Sequence, residues 1–169
     1  MSAQFLMDQV RGRKNIVQSG NFKLGETGFV EDRTKSGSNV YLNSGNLVEV
    51  MIVKATANLA SPAGKGVVFE SGGLGMNVAA FHTTKCDGII DPDLVGNIVS
   101  GDTFLIFRKG LMNVIAGGAI TVNVAILAAS GGKFTAATTE SLPVRAGRAN
   151  AAATLDGDII RALVDFTVA

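Results

Sequence analysis

The chain has one cysteine, Cys86, one histidine, His82, one tyrosine and no tryptophan among its 169 residues. A single cysteine excludes an intramolecular disulfide and favours a reducing cytoplasm as the place of synthesis. Charge is also scarce, at 17% of residues against roughly 25% in an average soluble domain. The two signs nearly cancel, leaving a formal net charge of +1, so the molecule as a whole has no electrostatic pull toward nucleic acid or an acidic membrane. Aromatics are thin at 6%, and the 47% apolar content lies mostly in Ala, Val and other aliphatics. Such residues suit flat strand faces and close subunit contacts better than an aromatic-walled ligand pocket. With so little solubilising surface, part of the exterior is expected to be covered by copies of the chain or by a partner. The opening MSAQFLMDQVRGRK lacks the apolar core of a secretory signal.

Catalytic signatures are missing as well. Any Ser-His or Cys-His mechanism must use His82, and its sole suggestive neighbour is Cys86, four residues on. On a strand the two share a face but lie beyond hydrogen-bond reach, so both are expected to be ordinary loop or edge residues, with a small β-barrel enzyme built on His82 as the lesser alternative. Asp87, Asp91 and Asp93 in CDGIIDPD raise a hard-cation site, but the spacing of a calcium loop is absent and a solvated acidic loop is expected. AGKG at Ala63 and GGLG at Gly72 lack the phosphate-cradling pattern and read as turns. No dinucleotide fingerprint or zinc spacing occurs, so no catalytic residue, cofactor or metal is assigned.

What is present is β-patterning. AITVNVAIL alternates, with Ile120, Val122, Val124 and Ile126 on one side, which predicts a strand. DIIRALVDFTV repeats that logic, placing Ile160, Ala162, Val164, Phe166 and Val168 on a buried face against Arg161, Asp165 and Thr167. Further strands are predicted at LVEVMIVKATA from Leu47, GVVFE from Gly66, TFLIFR from Thr103, LMNVI from Leu111 and PVRAGRANA from Pro143. TFLIFR is apolar on both sides and belongs in the middle of a sheet or between two layers. Between these runs stand glycine turns at Ser71, Ser100, Ala116, Ser130 and Asp156. A short helix over residues 91–99 is opposed by Pro92, Gly96 and β-branched residues. AGKGVVF then SGDTFLIF is matched loosely by AGGAITV then DGDIIRALV, which suggests two related β-units. The expected fold is all-β, a small barrel or sandwich of two loosely related units over residues 47–169.

Residues 1–46 differ. Isolated Phe5, Leu6, Phe22, Leu24 and Phe29 stand among polar residues, so the segment cannot bury a core of its own and is expected to be an extended arm and loop held by the domain or a neighbouring chain. Phe5, Leu6, Arg11, Arg13 and Lys14 are the expected partner contacts, with apolar anchors supplying energy and cations supplying register. The basic cluster has no interleaved stacking aromatics, so an acidic protein partner is favoured over nucleic acid. Residues 110–132 carry no charge, yet Asn113, Asn123 and Gly117-Gly118 fit a buried hairpin rather than a membrane span.

The stretch AGGAITVNVAILAASGGKFTAATTESLPVRAGRANAAATLDGDIIRALVDF resembles the closing half of the small β-barrel decoration (cement) proteins of tailed-phage heads. It shares a glycine turn, an alternating strand, a second glycine turn, a VRAGRANAAA-type segment and a GD opening the last strand. The resemblance implies a virion protein on the outside of the capsid, bound to the major capsid protein, commonly as a homotrimer, reinforcing the shell without catalytic residues. A tail-tube or head-completion β-barrel subunit is the alternative.

Overall fold

The computed structural model describes residues 7–35, 41–72, 75–137 and 145–167. Among them the chain is all-β, as expected, apart from one-turn 3-10 segments at Met7–Val10, Ile16–Ser19 and Ser130–Gly132. The strands are β1 Thr27–Lys35, β2 Tyr41–Ala55, β3 Gly66–Phe69, β4 Asn77–Phe81, β5 Gly88–Ile90, β6 Thr103–Gly117, β7 Ala125–Ala128, β8 Phe134–Ala136, β9 Arg145–Ala149 and β10 Asp156–Asp165. All belong to one hydrogen-bonded sheet. Its pairings form two circuits, β2-β4-β3-β5-β6 and β6-β10-β9-β7-β8, because β6 also pairs with β2 and with β8.

The long strand β6 belongs to both circuits, which explains why it was predicted as two strands. Phe104 and Ile106 fill the core of the first circuit with Val53, Val67, Val78 and Ile90. Leu105 and Phe107 point into a second, larger core. Further along, Met112, Val114 and Ala116 enter that same larger core, so the side-chain parity has changed. The cause is a bulge: Val50 pairs with Phe107 and Glu49 with Lys109, leaving Arg108 as the extra residue. One extra residue in a period-two strand exchanges its faces. TFLIFR, apolar on both sides, therefore lies between two cores, and every side chain from Thr103 to Phe107 is buried.

β10 and the residue after it follow the predicted alternation, with Ile160, Ala162, Val164 and Phe166 buried; Val168 lies outside the described residues. The most regular run in the sequence does not. Within AITVNVAIL only the last three residues, Ala125 to Leu127, belong to a strand, the start of β7; Ile120 makes an isolated bridge to Ala153, and Asn123 turns the chain with φ 67°. Asn tolerates that left-handed conformation, so a turn interrupts the alternation and leaves Val122 exposed. Residues 91–99 are turns with one bridge, Leu59 to Ile98, rather than a helix.

Of the two placements expected for the amino-terminal segment, residues 7–35 take the first and are held by the chain's own body. Met7, Val10, Ile16 and Phe22 are buried in the larger core with Val48, Val50, Ile52, Leu105 and Phe107. Over residues 7–35 the segment lies on the body and contributes β1, paired antiparallel with β2. A boundary at residue 46 falls inside β2. The reason is that the TFLIF run of β6 is apolar on both faces, and the first circuit can cover only one of them.

Candidate functional site

Two surfaces bear on partner binding: the basic segment after Met7–Val10, and the outer face of β6 and β10. In the first, sequence-distant charges meet. Arg11 Nη2 lies 3.0 Å from Asp93 Oδ2, while Nη1 donates to the Glu31 carbonyl at 3.0 Å. The guanidinium also sits 5.4 Å from the centre of the Phe107 ring. Lys14 Nζ donates to the Asn97 carbonyl at 2.7 Å and stands 3.8 Å from Asp102. Between them the Gly12 amide donates to Asp91 Oδ2 at 2.6 Å, and the Asp93 amide donates to Asp91 Oδ1. The acidic loop is thus not solvated as expected: Asp87 and Asp91 are both buried. Burial pushes the Asp91 carboxyl up from its ordinary range, against the pull of the Gly12 and Asp93 amides and of Arg11. The acidic partner of the basic cluster is in large part this chain's own 91–102 loop. Among the described residues no group of three or more His, Cys, Asp and Glu side chains is placed to hold a metal.

Gly12 makes this clasp possible. It has φ +70°, and a Cβ there would approach the Asp93 carbonyl oxygen to 2.8 Å. Gly12→Ala is expected to cost about 1–3 kcal/mol through backbone strain and displacement of the Asp91 contact. A urea titration of the variant checks this; a midpoint equal to wild type contradicts the clasp.

Of the five expected contact residues, Phe5 and Leu6 lie outside the described residues. Arg11 and Lys14 are engaged internally, as above. Arg13 is exposed and lines a cleft of about 290 Å³ with Gln9, Asn15, Asn21 and, on its apolar side, Val10 and Phe22.

His82 and Cys86 are brought together, though not as edge residues. Both are buried in the β4–β5 connection, where the His82 ring and Cys86 Sγ crowd the Cα of Gly66; a Cβ there would lie 2.2 Å from the ring. The His82 ring lies 4.9 Å from the ring centre of Phe134, and neither of its nitrogens has a hydrogen-bond partner. Burial lowers its pKa to about 4, while the nearby Ala129 backbone and the charge of Asp87 pull the other way. Burial also pushes the Cys86 thiol up, and Sγ donates to the Gly88 carbonyl. At neutral pH the pair therefore holds neither a thiolate nor an imidazolium.

The second surface was not singled out from the sequence. Across β6 and β10 the outward side chains pair Lys109 with Asp165, Leu111 with Leu163, Asn113 with Arg161 and Ile115 with Ile159. Leu163 and Ile159 remain 61% and 68% exposed. The signal was available: β10 alternates, yet its outward face still carries two large aliphatics.

No protein-family model matches the chain, and no curated protein does. Among solved structures, the head fiber gp8.5 N base of bacteriophage phi29 aligns with TM-score 0.51 and 17% identity, over 69% of this chain and 93% of that one. The two chains share a fold. At that identity the likeness extends to the architecture and not to individual residues.

Proposed function

We propose that the chain is a structural protein of a tailed-phage virion, and specifically a decoration protein that binds the outer surface of the capsid and stabilises the shell. The observation that carries the reading is the fold it shares with the base of a phage head fiber. The charge deficit and the exposed aliphatic face of β10 agree with a life spent in interfaces. The partner would be the major capsid protein, with repetition around the lattice multiplying modest contacts into avidity. The chain would act as a small homo-oligomer, a trimer being the form that the resemblance to decoration proteins implies. On the first surface the exposed Arg13 is placed to meet an acidic group of the shell, and Phe5 and Leu6 precede the clasp in sequence.

The test adds purified protein to phage heads assembled without it and images them by electron microscopy. Added density on the outer shell is expected, together with higher resistance of the heads to heat. Arg13→Glu should lower occupancy roughly tenfold, since reversing a contact cation both removes an attraction and adds a repulsion. Unaltered heads would defeat the reading. Rings or filaments formed by the protein alone would replace it with a tail-tube subunit.

A further inference from the structure

The strand pairings execute one plan twice. In the first circuit β2 pairs parallel with β4, then antiparallel pairs join β4 to β3, β3 to β5, β5 to β6, and β6 back to β2. In the second, β6 pairs parallel with β8, then antiparallel pairs join β8 to β7, β7 to β9, β9 to β10, and β10 back to β6. Advancing every strand of the first circuit by four in chain order produces the second, including the parallel pair. The registers agree as well. Gly66 faces Ile89 and Val67 faces Gly88, as Ala125 faces Arg148 and Ile126 faces Gly147. Ile90 faces Ile106, as Ala149 faces Ala162, and Val53 faces Phe104, as Val114 faces Ile160.

Details that strand order does not force are repeated too. Gly64, two residues before β3 at φ 74°, donates its amide to the Ile90 carbonyl, and the Ile90 amide donates to Lys65. Asn123, two residues before β7 at φ 67°, donates to the Ala149 carbonyl, and the Ala149 amide donates to Val124. Asp102 accepts the Val99 amide at 3.0 Å where β6 opens, and Asp158 accepts the Leu155 amide at 2.9 Å where β10 opens. Between those residues stand Gly101 and Gly157, at φ 98° and 91°. MIVKA from Met51 and MNVIA from Met112 share Met, Val and Ala. SGDTFLIF and DGDIIRALV do correspond, as the sequence suggests, but Gly64 of AGKGVVF corresponds to Asn123 and not to AGGAITV. We infer that the chain is one five-stranded unit duplicated in tandem, with β6 as the last strand of the first copy and the first strand of the second, so that the two copies open and close as one. Releasing residues 103–107 of β6 to open the first copy also bares Leu105 and Phe107, which belong to the core that fills the second.

This inference rests on strand pairing and holds whether or not the protein binds a shell. Native-state hydrogen exchange of the full chain, read by mass spectrometry on fragments from β3–β4 and from β7–β8, tests the coupling. Val67 and Ile126 occupy equivalent places, are fully buried, and lie on strands other than β6. Val67→Ala should speed the slowest amides of both fragments by the same factor, roughly tenfold or more. Ile126→Val, a milder change in the other copy, should speed both by about fivefold. A variant that speeds exchange in its own copy alone overturns the coupling. The equivalence is tested by a reciprocal swap, Gly64→Asn together with Asn123→Gly in one chain. Both residue types accept left-handed backbone, and each would meet the hydrogen bonds its counterpart makes, so the melting temperature should stay within about five degrees of wild type. A larger fall means that the two corners are not interchangeable and overturns the duplication.

Discussion

Deleting residues 1–24 is expected to unfold the protein rather than merely detach it from a partner. The deletion removes Met7, Val10, Ile16 and Phe22, all buried in the larger core. At roughly 1.5–3 kcal/mol for each fully buried apolar side chain, the loss is about 6–12 kcal/mol, comparable with the whole stability of an ordinary domain. It also uncovers Val50, Ile52, Leu105 and Phe107 on the β2–β6 face and leaves Asp91 without the Gly12 amide. The purified truncation should show no cooperative melt by near-ultraviolet circular dichroism and should be cut rapidly by protease. Removing only residues 1–6 takes away Phe5 and Leu6 but keeps that buried set, and the melting temperature should then stay within a few degrees of wild type. A 1–24 deletion that melts cooperatively near the wild-type temperature would show that the segment is an appendage after all.

The contrast between these two truncations shows where the sequence was legible. Strands with one buried face were visible wherever alternation ran unbroken, as in β10. Residues 7–24 were not, because their apolar side chains follow no period: each drops singly into a surface made by β2 and β6, some tens of residues away. The clue lay in the strand they cover. TFLIFR has two apolar faces, and the second face demands a lid from elsewhere in the chain. The acidic loop and the basic cluster are each visible in the sequence, but their mutual pairing spans about eighty residues and depends on the fold that brings Arg11 to Asp93 and Lys14 to Asp102. AITVNVAIL failed for a different reason. Alternation is a statement about which face side chains take, and Asn123 at positive φ breaks the backbone while leaving that pattern of letters intact. The outer face of β10 was written in the sequence as well, but Ile159 and Leu163 in an alternating strand do not reveal their exposure until β6 is known to lie beside them.

The second large effect concerns acid. His82 stands where the two circuits touch: its amide donates to the Gly66 carbonyl of β3, its carbonyl accepts from the Gly132 amide, and its ring packs on Phe134 of β8. Unfolded, the imidazole takes a proton near the ordinary 6.5, whereas in the folded chain burial holds its pKa at about 4. Above pH 6.5 both states are neutral and the residue adds no slope. Between 6.5 and 4 only the unfolded state carries the proton, so stability falls as the pH drops, by about 3 kcal/mol in total. Asp91 acts in the opposite sense, because its raised carboxyl protonates first in the folded state and gains stability as the pH falls through that value. Comparing wild type with His82→Met cancels the Asp91 contribution, and the flexible thioether can fill the space without a titrating group. Urea midpoints at pH 7 and pH 4 should show wild type losing about 3 kcal/mol more than the variant. Parallel losses in the two proteins would mean that the imidazole reaches solvent or a hydrogen-bond partner, and that the contact between the circuits does not depend on its neutral form.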